Sequence, residues 1–190
     1  MTVYFIRHAE TPGNLERRYI GRTDEPLSGE GERHARSVSG LPELERVYIS
    51  PMKRARRTAE IMFPDAEKIP RDGLREMDFG DFEGKNAEEL KDDADYKRWV
   101  DGFCEDACPN GETLADFTDR ACAAFFEAVD AEKKRGAEKM AVVAHGGTIM
   151  AVLSRYGVPA RRYYDWRVSN CGGYVLETGE GRELRADTVF

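Results

Sequence analysis

The sequence predicts an α/β fold: a three-layer α/β/α sandwich in which helices cover both faces of a mostly parallel sheet. Short apolar runs at residues 3–6 and 141–144 are typical of buried parallel strands, because both faces of such strands lie under helices. Segments with apolar residues at helical spacing alternate with such runs. With 190 residues the chain can bury one core, so we expect a single domain over residues 1–190.

The predicted elements alternate along the chain. Strands are expected at residues 2–6, 46–49, 139–144, 173–176 and 183–186, the last at an edge of the sheet. Helices are expected at residues 29–39, 50–62, 112–134 and 148–156. In the second helix, Ser50 is the predicted N-cap and Pro51 the first helical residue, positions that these residue types favour. Residues 11–28 are predicted to form a loop.

Composition excludes several classes of function. The net charge of −7 argues against a nucleic-acid partner bound through a broad basic surface. No stretch approaches the roughly 20 apolar residues that span a bilayer, and the N-terminus lacks a signal peptide's apolar region. We therefore expect a cytoplasmic protein without a membrane partner.

The four cysteines do not have the spacing of a structural zinc site, which needs four ligands. They are Cys104, Cys108, Cys122 and Cys171. We expect reduced thiols without a function, and neither a metal nor a cofactor. The oligomeric state is left open by the sequence.

Two of the three histidines directly follow the two apolar runs. His8 ends the first run after Arg7, and His145 ends the second. Because ligands of open α/β sheets bind at the carboxyl ends of parallel strands, we expect both imidazoles in one site. The adjacent Arg7 makes an anion the expected ligand. The third histidine, His34, is expected to be exposed and without a function.

Five segments, in order, resemble motifs of the histidine phosphatase superfamily, also called phosphoglycerate-mutase-like. The first two are Phe5-Ile6-Arg7-His8-Ala9-Glu10-Thr11-x-x-Asn14 and Tyr19-x-Gly21-x-x-Asp24-x-Pro26-Leu27-Ser28. The other three are Ser50-Pro51-Met52-Lys53-Arg54-Ala55-x-x-Thr58-Ala59-Glu60, residues 74–84, and Val143-Ala144-His145-Gly146-Gly147. Together these motifs cover nearly the whole chain.

The resemblance implies catalysis through a phosphohistidine. His8 would attack phosphorus through Nε2, provided that a hydrogen bond to its other ring nitrogen fixes the tautomer. Charge on the transferring phosphoryl group is spread over its equatorial oxygens, so several donors are needed around them. The residues that the resemblance assigns to this role are Arg7, Arg54 and His145, with Asn14, Gly21 and the backbone N–H of Gly146 as further phosphate or substrate contacts.

The same resemblance assigns the general acid to Glu76. A carboxyl group with a raised pKa can protonate the leaving alkoxide and later take a proton from water. Glu76 matches the family position after Leu74-Arg75, although three nearby carboxylates are easily mistaken for it. These are Asp78, Asp81 and Glu83. Glu10 is expected to make a structural hydrogen bond instead.

The chain departs from the family pattern at two positions. Ala9 stands where glycine is usual, and its methyl group restricts the backbone without being expected to abolish activity. Ile20 replaces the glutamine of many mutases, which implies a leaving group that is less polar at that point.

In related proteins, the stretch that corresponds to residues 85–110 forms a small lid over the pocket. Its aromatic residues, Tyr96, Trp99 and Phe103, fit either ordinary packing or stacking on a substrate ring.

The expected function is therefore a metal-independent phosphomonoesterase that hydrolyses a small-molecule phosphate ester. Residues 18–24 and 79–85 look most like bacterial α-ribazole phosphatases and broad-specificity monoesterases, which makes α-ribazole 5'-phosphate a candidate substrate. Two alternatives stay open: a phosphoglycerate mutase, and a protein phosphatase or phosphate-binding regulator. The chain lacks the longer insertions and tail of mutases, which favours hydrolysis over transfer.

Overall fold

A single seven-stranded sheet runs through the computed structural model, which describes residues 1–189. The strands are β1 (Thr2–Arg7), β2 (Arg46–Ile49), β3 (Glu67–Pro70), β4 (Lys139–Ala144), β5 (Gly157–Val158), β6 (Gly173–Thr178) and β7 (Leu184–Val189). Their order is β3-β2-β4-β1-β6-β7-β5. Only β6 runs antiparallel to both of its neighbours, β1 and β7, so the sheet is mostly parallel as predicted.

The described residues form seven α-helices. They are α1 (Pro12–Leu15), α2 (Gly29–Ser37), α3 (Lys53–Met62), α4 (Ala87–Leu90), α5 (Ala94–Asp101), α6 (Leu114–Lys134) and α7 (Gly146–Tyr156). No helix among residues 1–189 has the length and apolar character needed to cross a membrane.

The core lies on both faces of the sheet because successive strand residues point to opposite sides. Phe5 and Val142 pack on one face in a cluster with apolar residues of α6 and α7. Ile6 and Val143 pack on the other face against residues of α3. The three-layer α/β/α prediction is thereby confirmed.

The predicted start of α3 is wrong. The helix begins at Lys53 after Met52, and no side chain caps it. The Ser50 hydroxyl lies instead 2.7 Å from Nε2 of His145. Because its partner is remote in sequence, the Ser50-Pro51 pair looks like a helix start when only local preferences are considered.

Short elements account for the other differences from the prediction. The predicted loop 11–28 contains α1, and residues 85–110 contain α4 and α5. Strands β3 and β5 were not predicted because β3 has only four residues, two charged followed by two apolar, and β5 has only two residues. Since β5 pairs with the start of β7, the last strand is not an edge strand along that part.

Candidate active site

The two histidines meet because β1 and β4 are neighbouring parallel strands in matched register. Arg7 is paired with Ala144, so the residues that follow both strands lie side by side. The N–H of His8 donates to the Ala144 carbonyl at 3.0 Å. The ring centroids of His8 and His145 are 5.1 Å apart, with the rings inclined at 67°.

The His8 ring is held in one tautomer. Its Nδ1 lies 2.7 Å from the carbonyl oxygen of Ala9, and since a carbonyl only accepts, Nδ1 carries the proton. Nε2 therefore keeps a lone pair. Burial, followed by the charges of Arg54 and Arg7, holds the His8 pKa well below its usual value, so the ring is neutral near pH 7.

His145 is fully buried, and both of its ring nitrogens have partners. Nδ1 accepts from Nε of Arg54 at 3.2 Å, so the ring proton sits on Nε2, which donates to the Ser50 hydroxyl at 2.7 Å. Burial and the charge of Arg54 lower its pKa as well. In this arrangement His145 orients Arg54 and has no spare N–H for a phosphate oxygen.

Arg54 is also fully buried, behind the two histidines. Its Nη1 donates to the carbonyl of Thr23 at 2.8 Å, and its Nη2 donates to those of Ile20 and Gly21 at 3.2 and 2.9 Å. These bonds leave one of its five N–H groups without a partner among the described residues. Arg54 thus joins the loop after α1 to the catalytic strand ends and supplies positive charge there.

Gly21, predicted to contact phosphate or substrate, is placed differently. Its N–H donates to the carboxylate of Glu83 at 3.0 Å, and its carbonyl accepts from Arg54. A Cβ at this position would lie 1.8 Å from the carbonyl oxygen of Met77, so only glycine fits. Gly21 is required for close packing of two loops rather than for contact with the ligand.

Arg7 offers an unused donor to the site. Its Nη1 donates to the carbonyl of Val168 at 2.8 Å, whereas the buried Nε has no hydrogen-bond partner among the described residues. The guanidinium passes beside Gly146, the first residue of α7, where an added Cβ would lie 3.4 Å from Nε. Arg7 and the N-terminus of α7 together favour an anion at this point.

Asn14 is fixed by two hydrogen bonds to its side-chain oxygen. Oδ1 accepts from the N–H of Thr11 at 3.3 Å and from Nδ2 of Asn170 at 3.1 Å. The side-chain nitrogen Nδ2 of Asn14 has no hydrogen-bond partner within residues 1–189 and is available to a ligand. Asn170 also donates to the backbone carbonyl of His8 at 2.9 Å, so it positions two predicted site residues at once.

Glu76 lies at the N-terminus of α7. Its Oε2 accepts from the N–H of Gly147 at 2.9 Å, and its Oε1 accepts from the N–H of Met77 at 3.1 Å. Burial raises the pKa of Glu76 and outweighs the opposing effects of these bonds and of Arg54 and Arg7. A raised pKa is what a group that both donates and accepts a proton needs.

The loop that carries Glu76 is held by Arg120 of α6. Its Nη2 donates to the Glu76 carbonyl at 2.9 Å, and its Nη1 donates to the carbonyls of Gly73 and Arg75. The guanidinium is itself paired with Glu112 at 2.7 Å. Arg120 is a positioning residue that no local motif indicated.

The neighbouring carboxylates are occupied elsewhere. Glu83 accepts from the N–H groups of Gly21, Arg22, Thr23 and Phe79 and from the Thr23 hydroxyl. Asp78 is paired with Arg22 at 3.0 Å, and Asp81 accepts from Asn110. These bonds leave Glu76 as the carboxylate best placed for acid–base chemistry.

A cavity of about 870 Å³ opens in front of His8. Five predicted residues line it: Arg7, His8, Asn14, Glu76 and Gly146. Arg17, Arg18 and Arg167 add positive charge to its wall, and Tyr19, Phe79, Tyr96, Trp99, Tyr163 and Tyr164 add aromatic surface. Arg18 is paired with Glu16 and Glu89, whereas Arg17 and Arg167 form no ion pair with a described side chain.

The aromatic residues of segment 85–110, the predicted lid, differ in burial. Tyr96 and Trp99 are 9% and 5% exposed, and both pack on Phe82 with ring centroids 5.5 and 5.6 Å apart. Their remaining surface contributes to the cavity wall, so packing and access to a ligand are combined. Phe103 is 78% exposed and is not part of the cavity wall.

Sequence reasoning missed Ser50, Asn170, Arg120, Arg17, Arg167 and the tyrosine pair Tyr163 and Tyr164. One of them carried a usable signal. β6 is antiparallel to β1, so its first residue lies beside the end of β1, and polar residues just before β6 reach the same edge. Asn170 is such a residue, comparable with the histidines that follow β1 and β4.

Comparisons with known proteins identify the family of this chain. Residues 3–187 match the histidine phosphatase superfamily (branch 1). The chain is 36% identical to the uncharacterised phosphatase PhoE of Bacillus subtilis over 157 residues, which are 80% of this chain and 75% of PhoE.

Two solved structures extend the comparison. The phosphoglycerate mutase of Thermus thermophilus is 33% identical with a TM-score of 0.72, covering 97% of this chain and 96% of that one. The α-ribazole phosphatase of Shigella flexneri has a TM-score of 0.80 at 24% identity, covering 98% and 95%, and shows the shared fold alone. With its motifs, its site and its fold in agreement, the chain belongs to the histidine phosphatase superfamily, whose members here are phosphatases and mutases.

Proposed function

We propose that this enzyme is a phosphomonoesterase that hydrolyses a small phosphate ester through a phosphohistidine, without a metal or other cofactor. The observation that carries the proposal is the state of His8. Its Nδ1 proton is held by the Ala9 carbonyl and its pKa is lowered, so a neutral nucleophile with a free Nε2 faces a cationic cavity.

In the first step, Nε2 of His8 attacks phosphorus as the bond to the ester oxygen breaks. The leaving alkoxide takes the proton of Glu76, which becomes a carboxylate. Arg7 donates through Nε to one phosphoryl oxygen, and Asn14 donates through its side-chain Nδ2 to another. The positive charge of the phosphorylated imidazole is offset by the phosphoryl group and by the Glu76 carboxylate that has just formed.

In the second step, water attacks the phosphohistidine. Glu76 takes a proton from this water, the bond from phosphorus to Nε2 breaks, and His8 recovers its lone pair. Inorganic phosphate leaves, and Glu76 is again protonated for the next cycle. The Nδ1 bond to Ala9 stays in place throughout, so the same tautomer is present at the start of each turnover.

The cavity wall indicates the kind of ester. Its aromatic side chains favour a substrate with a ring, while Arg17 and Arg167 provide positive charge near the mouth. A cavity of about 870 Å³ exceeds what a three-carbon acid phosphate needs. We therefore propose a phosphate ester that carries a heterocycle, and α-ribazole 5'-phosphate is the first candidate because residues 18–24 and 79–85 resemble those of α-ribazole phosphatases. The four free cysteines favour a reducing compartment, so we propose that it acts in the cytoplasm.

A mutase reaction is the second candidate, favoured by the identity of 33% to the Thermus thermophilus enzyme. The two reactions share the phosphohistidine and differ in whether water or a second substrate hydroxyl removes the phosphoryl group. A mutase would isomerise 3-phosphoglycerate without net release of phosphate.

The test is phosphate release in EDTA from α-ribazole 5'-phosphate, 3-phosphoglycerate, sugar phosphates, nucleotides and p-nitrophenyl phosphate. The wild type is compared with His8→Ala and with His34→Gln, a histidine substitution away from the cavity. We expect turnover that is lost only in His8→Ala, with one heterocyclic ester preferred. Isomerisation of 3-phosphoglycerate without release would favour the mutase, and activity restored only by added Mg²⁺ would contradict the mechanism.

A further inference from the structure

Glu10, His34 and Cys171 form a cluster of side chains that commonly bind metals. The cluster lies outside the cavity wall. They come from three separate segments: the turn after β1, helix α2, and the turn before β6. We infer that this Glu10–His34–Cys171 cluster binds a thiophilic divalent cation of the Zn²⁺ type. The inference is independent of the proposed hydrolysis, because none of the three residues takes part in the reaction.

The distances suit a tetrahedral ion. Nδ1 of His34 is 3.0 and 3.1 Å from the two carboxylate oxygens of Glu10, and the ligand atoms of all three residues lie within 4.8 Å of one another. With bonds of about 2.0 Å to oxygen and nitrogen and about 2.3 Å to sulfur, the ligand atoms of tetrahedral zinc are separated by about 3.3–3.5 Å. Small side-chain rotations therefore suffice to bring the three atoms around one ion.

The backbone of the cluster is preorganised. The carbonyl of Glu10 accepts from the N–H of Ser28 at 2.9 Å, which ties it to the start of α2. Gly31 lets this helix approach closely, since a Cβ there would lie 2.2 Å from the same carbonyl oxygen. The N–H of Cys171 lies 3.4 Å from the carbonyl oxygen of His8. The metal would thus join segments that are already fixed to one another.

Burial differs among the ligands in a way that leaves a path for the ion. Cys171 is 3% exposed, whereas the side chains of His34 and Glu10 are 43% and 21% exposed. An ion can enter from the solvent side and bind last to the buried sulfur, and water can occupy the fourth position. The same order places the softest ligand in the driest part of the site.

Proton balance gives the site a pH dependence. A carboxylate only accepts, so Nδ1 of His34 holds a proton toward Glu10 in the metal-free protein. Formation of the metal–sulfur bond releases the thiol proton, while the ring proton of His34 moves from Nδ1 to Nε2, so binding should strengthen as the pH rises. The nitrogen and sulfur ligands favour Zn²⁺ or Co²⁺ over Mg²⁺, which prefers oxygen.

The test is a Co²⁺ titration of the full chain, with the absorption band of a cobalt–thiolate bond as the signal, followed by displacement with Zn²⁺. The variants are Cys171→Ser, His34→Gln and, as a matched control, Cys104→Ser, which removes a more accessible thiol elsewhere. His34→Gln tests the site without touching the interior, since His34 lies on the exposed side of α2.

We expect the band in the wild type and in Cys104→Ser, its loss in Cys171→Ser, and affinity for Zn²⁺ reduced at least about tenfold in His34→Gln. Mg²⁺ should not displace cobalt. Absence of the band in the wild type, its survival in Cys171→Ser, or unchanged affinity in His34→Gln would each overturn the inference. Because phosphate release is measured in EDTA, a failure here leaves the hydrolysis proposal untouched.

Discussion

At the scale of single residues, burial tunes the two reacting groups in opposite directions. It lowers the pKa of His8, whose neutral form is the proposed nucleophile, and raises the pKa of Glu76, whose protonated form is the proposed acid. Both shifts favour the state needed at the start of the reaction. A single physical cause, exclusion of water, therefore prepares the attacking and the protonating group together.

Glu76→Gln should slow alkyl esters far more than aryl esters. Glutamine has nearly the same shape and keeps one acceptor oxygen, enough for the N–H of Gly147 or that of Met77, but cannot supply a proton, and general acid catalysis contributes about 10²–10⁴ in rate. We expect a loss of that size in kcat for a sugar phosphate and a smaller loss for p-nitrophenyl phosphate, whose leaving group needs little protonation. In the wild type, kcat should fall at alkaline pH as Glu76 loses its proton, and this fall should be absent in Glu76→Gln. Equal losses on both esters would exclude Glu76 as the acid.

Gly147→Ala should displace the same carboxylate. An added Cβ would lie 2.3 Å from Oε1 of Glu76, a distance that forces the side chain to move. Because a misplacement of about 1 Å can cost about 10²-fold in rate, we expect a large fall in kcat with a smaller change in KM. Gly29→Ala, where the nearest atom is 3.8 Å away, is the matched control. Equal kcat values in the two variants would show that Glu76 does not need its present position.

At the scale of elements, the segment with α4 and α5 has a small core of its own. Tyr96 and Trp99 pack with Phe82, Leu90 and Cys108, apart from the clusters on the sheet. The indole N–H of Trp99 donates to the carbonyl of Asp106 at 3.0 Å, which fixes the end of the segment. Tyr96 and Trp99 of this cluster line the cavity, so the order of the predicted lid and the shape of the cavity depend on the same two side chains.

Trp99→Ala should loosen the lid locally. Truncating a buried tryptophan costs about 3–5 kcal/mol, and the loss falls on the small lid cluster rather than on the sheet. Amide hydrogen exchange in α5 should become faster while exchange in β1 and β4 changes little. Phe103→Ser, at an exposed position, should change stability by no more than about 0.5 kcal/mol. Equal protection of α5 in both variants would contradict a separate lid core.

The sequence predicts the central elements and the gathering of site residues more reliably than the contacts of individual atoms. β1 and β4 were predictable because their buried residues are continuously apolar, and their shared register brings His8 beside His145. The hydrogen-bond partners of His145 and Arg54 could not be predicted. A sequence motif does not show which N–H groups face a ligand and which face Ser50 or a loop carbonyl. Edge strands such as β3 and β5 are not predicted because they are short and bury too few apolar side chains to give a recognisable hydrophobic pattern.

At the scale of the whole molecule, the site is a locally positive region on a protein whose net charge is negative. The net charge is −7, yet four arginines line the cavity. An anionic substrate is therefore attracted to this face and repelled by much of the remaining surface, an effect that weakens with ionic strength. The buried histidines also connect folding to pH.

Stability should fall as the solution becomes acidic. His8 and His145 have lowered pKa values in the folded state, so below about pH 6.5 the unfolded chain binds protons that the folded chain does not. Each histidine then lowers the free energy of unfolding by up to about 1.4 kcal/mol for each unit by which the pH falls. Glu76 opposes this change, because its raised pKa lets the folded chain bind a proton as the pH falls toward 4.5.

Urea unfolding between pH 7.5 and 5 measures this dependence. The free energy of unfolding should decrease with pH, and Glu76→Gln should make the decrease steeper by removing the opposing group. Phe103→Ser, which changes an exposed side chain that carries no ionisable group, should leave the slope as in the wild type. A flat profile in the wild type would mean that the folded and unfolded chains bind protons equally, which contradicts lowered pKa values for the two histidines.

The hydrogen bond from His8 to the carbonyl of Ala9 has a consequence for how the enzyme evolves. In many catalytic systems the partner of the imidazole is a side chain, which a single codon change can delete. Here the partner is a main-chain oxygen of the next residue, present whichever amino acid is encoded there. The tautomer of the proposed nucleophile is thus insulated from the choice of side chain at position 9, where full burial of Ala9 leaves room only for a small residue.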